Sequence, residues 1–218
     1  MSRRLWAEAL GSFFLFATVI GSGVMGETLA GSDTAVALLA NTGATAAILF
    51  VLIAMLGPVS GAQFNPAVTL VLRLRGSETN ASAAALIAAQ VSGGVLGVWA
   101  AHAMFDLPVL QVSQHLRSGP GQWLAEGIAT FGLVTTILLT ARHRPQALPA
   151  SVALYIAAAY WFTASTSFAN PAITLARSVS DTFAGIAPAS VPGFVLAQLS
   201  GALLAHLFDR HVMEARAT

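Results

Sequence analysis

Gly61-Ala62-Gln63-Phe64-Asn65-Pro66-Ala67-Val68-Thr69-Leu70 decides how this chain is read, because it returns as Ser167-Phe168-Ala169-Asn170-Pro171-Ala172-Ile173-Thr174-Leu175. In both copies Asn-Pro-Ala follows a Phe closely, and a β-branched aliphatic, Thr and Leu come after. Asn caps free backbone N–H groups, and Pro is preorganised for the first helical position, so each copy predicts a helix start. Each start nevertheless lies inside apolar sequence rather than in a polar surface loop. A helix that begins at membrane depth is tolerated only where it lines a cavity or is buried in protein. Two such starts, one per half, point to a pore or binding site at the bilayer midplane, built from an inverted repeat.

Composition agrees with a membrane location. The chain is 56% hydrophobic and 9% charged, and it has no Lys; an ordinary soluble domain carries roughly 25% charged residues. Mean hydropathy is +0.75. With a formal net charge of +1, the placement of charges says more than their sum. There is no Cys, hence no disulfide framework and no cysteine metal site. Ser2-Arg3-Arg4 precedes an apolar run that continues to about Met25. That run is longer than the apolar region of a secretory signal, so it reads as a first span.

With about 20 residues per span, the sequence predicts full helices over Leu5–Met25, Ala35–Leu56, Ser82–Phe105, Gln122–Thr140, Pro149–Ala164 and Val191–Phe208. Half-helices are expected over Pro66–Leu72 and Pro171–Ser178. The expected fold is therefore all-α: six transmembrane helices plus two re-entrant half-helices in one channel domain. Residues 1–105 form the first repeat, 106–121 a linker rich in Pro and Gly, and 122–218 the inverted second repeat. The halves also match elsewhere. Glu8 answers Glu126, Phe13 answers Phe131, and Gln90-Val91-Ser92-Gly93 answers Gln198-Leu199-Ser200-Gly201. Six spans put Arg3, Arg4, Arg73, Arg75, Arg142, Arg144, Arg210 and Arg216 on one side, leaving Arg117 and Arg177 on the other. The positive-inside rule makes the Arg-rich side, with both termini, cytoplasmic.

These residues resemble the aquaporin and aquaglyceroporin family of major intrinsic proteins, over nearly the whole chain. Two Asn-Pro-Ala motifs inside a six-span inverted repeat are highly specific. The resemblance implies a homotetramer in the plasma (bacterial inner) membrane, each subunit passing water or small neutral solutes passively. Asn65, Pro66, Ala67, Asn170, Pro171 and Ala172 would form the pore centre, where two positive helix ends repel cations and the Asn amides meet solute. Glu8 and Glu126 are the carboxylates inside full spans. They could serve a proton relay, but the resemblance gives them the support of the half-helix loops. None of the five His has metal-ligand spacing. No metal, cofactor or nucleic-acid partner is expected, and no nucleophile–base pair suggests an enzyme.

The constriction departs from the family. An Arg usually follows the second Asn-Pro-Ala, and here Ile173 takes its place. Counting by the family's spacing, the remaining positions are Thr45, Ala158 and Ser167. All are small or slim, which implies a pore for solutes larger than water: glycerol-like polyols, urea, or neutral hydroxides such as arsenite in its acid form. Atypical bacterial relatives of the arsenic-resistance type resemble this pattern. Arg177 shares a helical face with Ile173 and could reach down to the constriction, or it could pair at the surface with Asp181. A secondary active transporter is the rival reading. It would need a titrating site at the midplane, where only Glu8 and Glu126 are available.

Overall fold

The computed structural model describes residues 2–213, so Arg216 lies outside the described residues. Eight α-helices follow one another: α1 (Ser2–Ala30), α2 (Thr34–Ser60), α3 (Pro66–Leu74), α4 (Asn80–Met104), α5 (Pro120–His143), α6 (Leu148–Phe162), α7 (Pro171–Arg177) and α8 (Val191–Phe208). Five are long and apolar enough to cross a membrane, the last of them counted with its flanking turns. The sixth crossing is shorter than its sequence suggests. α6 has 15 residues, about 22 Å at 1.5 Å per residue, and a 3₁₀ turn at Pro145–Ala147 extends it on one side. α1 runs further than its apolar core requires, so Glu27 falls in its last turn, exposed.

α3 and α7 are the half-helices. Pro66 and Pro171 occupy their first positions, with Asn65 and Asn170 as extended caps. Two buried clusters hold the fold together; the larger draws residues from both halves and surrounds the half-helix tips. Lipid-facing positions stay apolar, as Leu29, Leu39, Leu154 and Leu196 show.

The helices that carry the supporting carboxylates sit close to their neighbours. On α4, a Cβ at Gly93 would lie 2.2 Å from the Ala9 carbonyl oxygen, and one at Gly97 2.2 Å from that of Phe13. In the second half, a Cβ at Gly201 would lie 2.2 Å from the Gly127 carbonyl oxygen. Glycine thus lets α4 meet α1, and α8 meet α5, backbone to backbone, a packing mode that replaces the missing hydrophobic drive between helices in lipid. Gly93→Ala and Gly201→Ala should each lower stability by about 1–3 kcal/mol. The readout is the midpoint of thermal aggregation in detergent, and a midpoint equal to the parent's would show that the seam has slack.

Candidate functional site: a pore between two half-helix tips

The loops leading into α3 and α7 are built alike. Ala62, Phe64, Ser167 and Ala169 have φ of 48°, 47°, 49° and 47°. A non-glycine residue in the left-handed region costs about 1–2 kcal/mol, so something must hold these conformations. Glu8 and Glu126 do. Gln63 and Phe64 donate their N–H groups to Glu8 at 2.9 and 2.7 Å. Phe168 and Ala169 donate theirs to Glu126 at 2.8 and 2.9 Å. Glu8 also accepts from the Ser60 hydroxyl at 2.6 Å and from Gln90 Nε2 at 2.8 Å. Gln198 Nε2 gives Glu126 its third donor. The same amides donate to the motif threonines, Gln90 to Thr69 at 3.0 Å and Gln198 to Thr174 at 2.8 Å. Both carboxylates are fully buried, and every one of their oxygens accepts from a loop N–H, a hydroxyl or a glutamine amide.

The asparagines do more than cap. Asn65 Oδ1 accepts the Ala67 N–H at 2.9 Å, while Asn65 Nδ2 donates to the Ala169 carbonyl at 2.8 Å. Asn170 mirrors it: Oδ1 accepts from Ala172 at 2.9 Å, and Nδ2 donates to the Phe64 carbonyl at 2.8 Å. Each amide therefore ties its half-helix to the opposite loop. One N–H of each NH₂ group remains for a visitor.

Both asparagines line a cavity of about 110 Å³. A water molecule needs only roughly 10–15 Å³ of such space. Thr45, Ser167, Ile173 and Arg177 also line it, so four of the five expected constriction residues come together. Ala158 does not join them. It is exposed on the far side of α6, while Ile156 and Tyr160 face the cavity. Residues four apart share a helical face, and the residue midway between them points away. Counting back from the motif placed the register two residues off. Tyr160 takes the position facing α2, its hydroxyl 3.4 Å from Thr45 Oγ1.

Arg177 is buried, only 4% exposed. It does not pair with Asp181, which accepts the Gln114 N–H at 2.8 Å and lies 3.9 Å from His115 Nε2. Instead Arg177 donates to the Ala184 carbonyl and stacks over Phe168, its guanidinium carbon 3.4 Å from the ring centroid. Arg117 shares that ring at 5.4 Å. Sequence reasoning gave Arg117 no role; its exclusion from the Arg-rich face was the available signal. Burial lowers the Arg117 pKa, with the Glu126 charge opposing that shift. On the Arg-rich face the Arg4 guanidinium, hydrogen-bonded to Glu78, holds that carboxyl below its ordinary range. Glu78 in turn takes Gln63 Nε2 at 3.3 Å, leaving Gln63 Oε1 without a protein partner where Gln63 lines the cavity.

Residues 1–164 match the Major intrinsic protein family. The chain belongs to that family. It is 55% identical over 214 residues to the aquaglyceroporin AqpS of Rhizobium meliloti (strain 1021), covering 98% of this chain and 91% of that protein. Its structure is similar to the X-ray structure of the aquaglyceroporin from Plasmodium falciparum, with a TM-score of 0.74. That likeness spans 97% of this chain and 96% of the other at 19% identity, and it speaks for the fold. Membership makes the protein a membrane channel of the aquaglyceroporin kind and not an enzyme.

Removing one charged acceptor from the carboxylate cradle should cost on the order of 1–3 kcal/mol. Glu126→Gln is expected to reduce folded yield while leaving the ranking of permeant solutes as it was. A well-folded variant whose flux had become pH-dependent would instead mark Glu126 as a proton carrier.

Proposed function

We propose that this channel passes small neutral solutes larger than water, polyols such as glycerol and uncharged metalloid hydroxides such as arsenous acid, along with water, and that it excludes ions. The observation that carries this reading is the wall at Thr45, Ser167, Ile173 and Tyr160. Hydroxyls come from Thr45, Tyr160 and Ser167, whose Oγ is buried with no partner among the described residues. One turn along the same helices stand Leu49 and Ile156, and Ile173 joins them, so hydroxyl and aliphatic groups share the wall. A polyol likewise carries hydroxyls and C–H groups along its length. Arsenous acid is a compact neutral molecule with three hydroxyls, and the name of the 55% identical relative supports a solute of the glycerol class. A cation would leave its hydration shell facing two positive helix ends and Arg177, with both carboxylates already filled by donors.

The same saturation of Glu8 and Glu126 argues against coupling to an ion gradient. Uptake should therefore proceed in proteoliposomes without one and ignore protonophores. Family membership supports a tetramer, and the bacterial relative supports a place in the inner membrane. Arg4 meets Glu78, and Arg75 and Arg142 meet Asp209 at 2.6 and 2.8 Å; the excess of arginine on that face supports a cytoplasmic orientation by the positive-inside rule. In intact cells an impermeant thiol reagent should label Leu110→Cys and spare Ser2→Cys; the reverse pattern would invert the topology.

Two substitutions test the wall. Ser167→Ala should slow glycerol relative to water by about 2- to 10-fold, the equivalent of one net hydrogen bond of about 0.5–1.5 kcal/mol. Thr45→Trp should narrow the pore and suppress glycerol and arsenous acid before water. Stopped-flow light scattering on proteoliposomes measures both, and equal loss of all three solutes in folded protein would rule out this lining.

A further inference from the structure

The two arginines absent from the Arg-rich face meet above the pore. Arg117 and Arg177 both line a second cavity of about 350 Å³, and Arg177 is common to it and to the pore cavity. Their guanidinium carbons stand 5.4 and 3.4 Å from the centroid of one ring, Phe168. Each spends part of its fork on backbone carbonyls. Arg177 Nε donates to Ala184, while Arg117 donates from Nε to Gly185 at 2.8 Å and from a terminal nitrogen to Phe183 at 3.3 Å. Among the described residues no carboxylate pairs with either guanidinium. With five donors on each, the terminal nitrogens of Arg177 and one of Arg117 have no acceptor among the described residues.

Nearby acids are committed elsewhere. Glu126 is filled from beneath Phe168, Asp181 takes Gln114 and His115, and Asp33 caps α2 through Ala35 and Val36 at 3.0 and 3.2 Å. Glu27 and Asp106 are exposed and do not line the cavity. Two like charges held together, one of them buried, are costly unless an opposite charge arrives. The rest of the lining combines hydroxyls at Thr34 and Thr166 and the Asn41 amide with apolar surface at Ala35, Leu38, Trp161 and Phe183. That surface suits a small body carrying one planar anionic group, and the guanidinium fork matches a carboxylate bidentately.

We propose that this mouth of the channel binds a small carboxylate anion across Arg117 and Arg177, and that the bound anion obstructs the entry of neutral solute. Beneath Arg177 the wall turns to Ile173 and Ile156, so an anion stripped of its arginines gains nothing by descending. The obstruction rests on the pore reading above; the binding does not.

Trifluoroacetate is a suitable probe, since it stays ionised at neutral pH and reports through its fluorine signal. With the full channel in nanodiscs, and empty nanodiscs as reference, saturable line broadening is expected in the parent. Arg117→Gln should weaken it at least tenfold. Arg117→Lys keeps the charge but loses the fork, and should weaken it at least threefold. Glycerol entry into proteoliposomes should slow with trifluoroacetate on the Arg117 side, at the midpoint found by NMR, and that midpoint should rise tenfold in Arg117→Gln. Unchanged binding in either folded variant overturns the site. If the parent passes glycerol but shows no saturable broadening, the site fails and the pore reading stands. A parent that binds the anion through Arg117 but passes no glycerol keeps the site and sinks the pore reading.

Discussion

A backbone that stops being helical at membrane depth leaves N–H groups without water to satisfy them, and each costs several kcal/mol unless the protein supplies an acceptor. Everything around the pore of this channel answers that constraint. Two carboxylates placed early on α1 and α5 take the N–H groups of the two re-entrant loops. The glutamine amides of α4 and α8 hold those carboxylates and, through Thr69 and Thr174, the half-helices themselves. The glycine seams follow from the same need, because α1 and α4 must come close enough for Gln90 to reach Glu8.

Once the loops are fixed, the left-handed residues Ala62, Phe64, Ser167 and Ala169 follow. Left-handed residues on either side of Gln63 and Phe168 let successive N–H groups turn toward the carboxylate. The loop carbonyls of Phe64 and Ala169 are then free to receive Asn170 and Asn65. The tips of α3 and α7 are thereby joined to each other, so the pore centre is one hydrogen-bonded unit made from both halves. The solute thus meets a surface already joined by hydrogen bonds within the protein.

The two ends of the pore are not alike, although the centre is nearly symmetric. On one side Gln63 is tethered through Glu78 to Arg4. On the other, Phe168 serves as a platform for two guanidiniums that the loop carbonyls of Phe183, Ala184 and Gly185 hold in place. Displacing Arg177 one turn from the residue after the second Asn-Pro-Ala puts Ile173 on the wall and lifts the charge to the mouth. In the function proposed above, the channel separates two tasks, an apolar and hydroxyl-lined passage below and a cationic entrance above.

Much of this was legible in the chain. Helix starts at Asn65-Pro66 and Asn170-Pro171, six crossings, the paired Glu and Gln residues and the grouping of Arg all follow from periodicity, capping chemistry and repetition, which are local or symmetric properties. Thr45, Ser167 and Ile173, counted from the motifs, do line the cavity, because their spacing survives in this chain. Tyr160 was missed in favour of Ala158, since α6 ends at Phe162 and the loop after it sets the register. A two-residue error on a helix turns a side chain to the opposite face, and no local signal reports the length of an unpaired loop. Arg117 could be assigned to a side but not to a contact, because its position depends on a linker folding back onto Phe168 and the loop after α7. The sequence by itself determined where helices start inside the membrane and which buried groups repeat. Only the tertiary structure decided which side chains face the passage, because that depends on how distant loops close over one another.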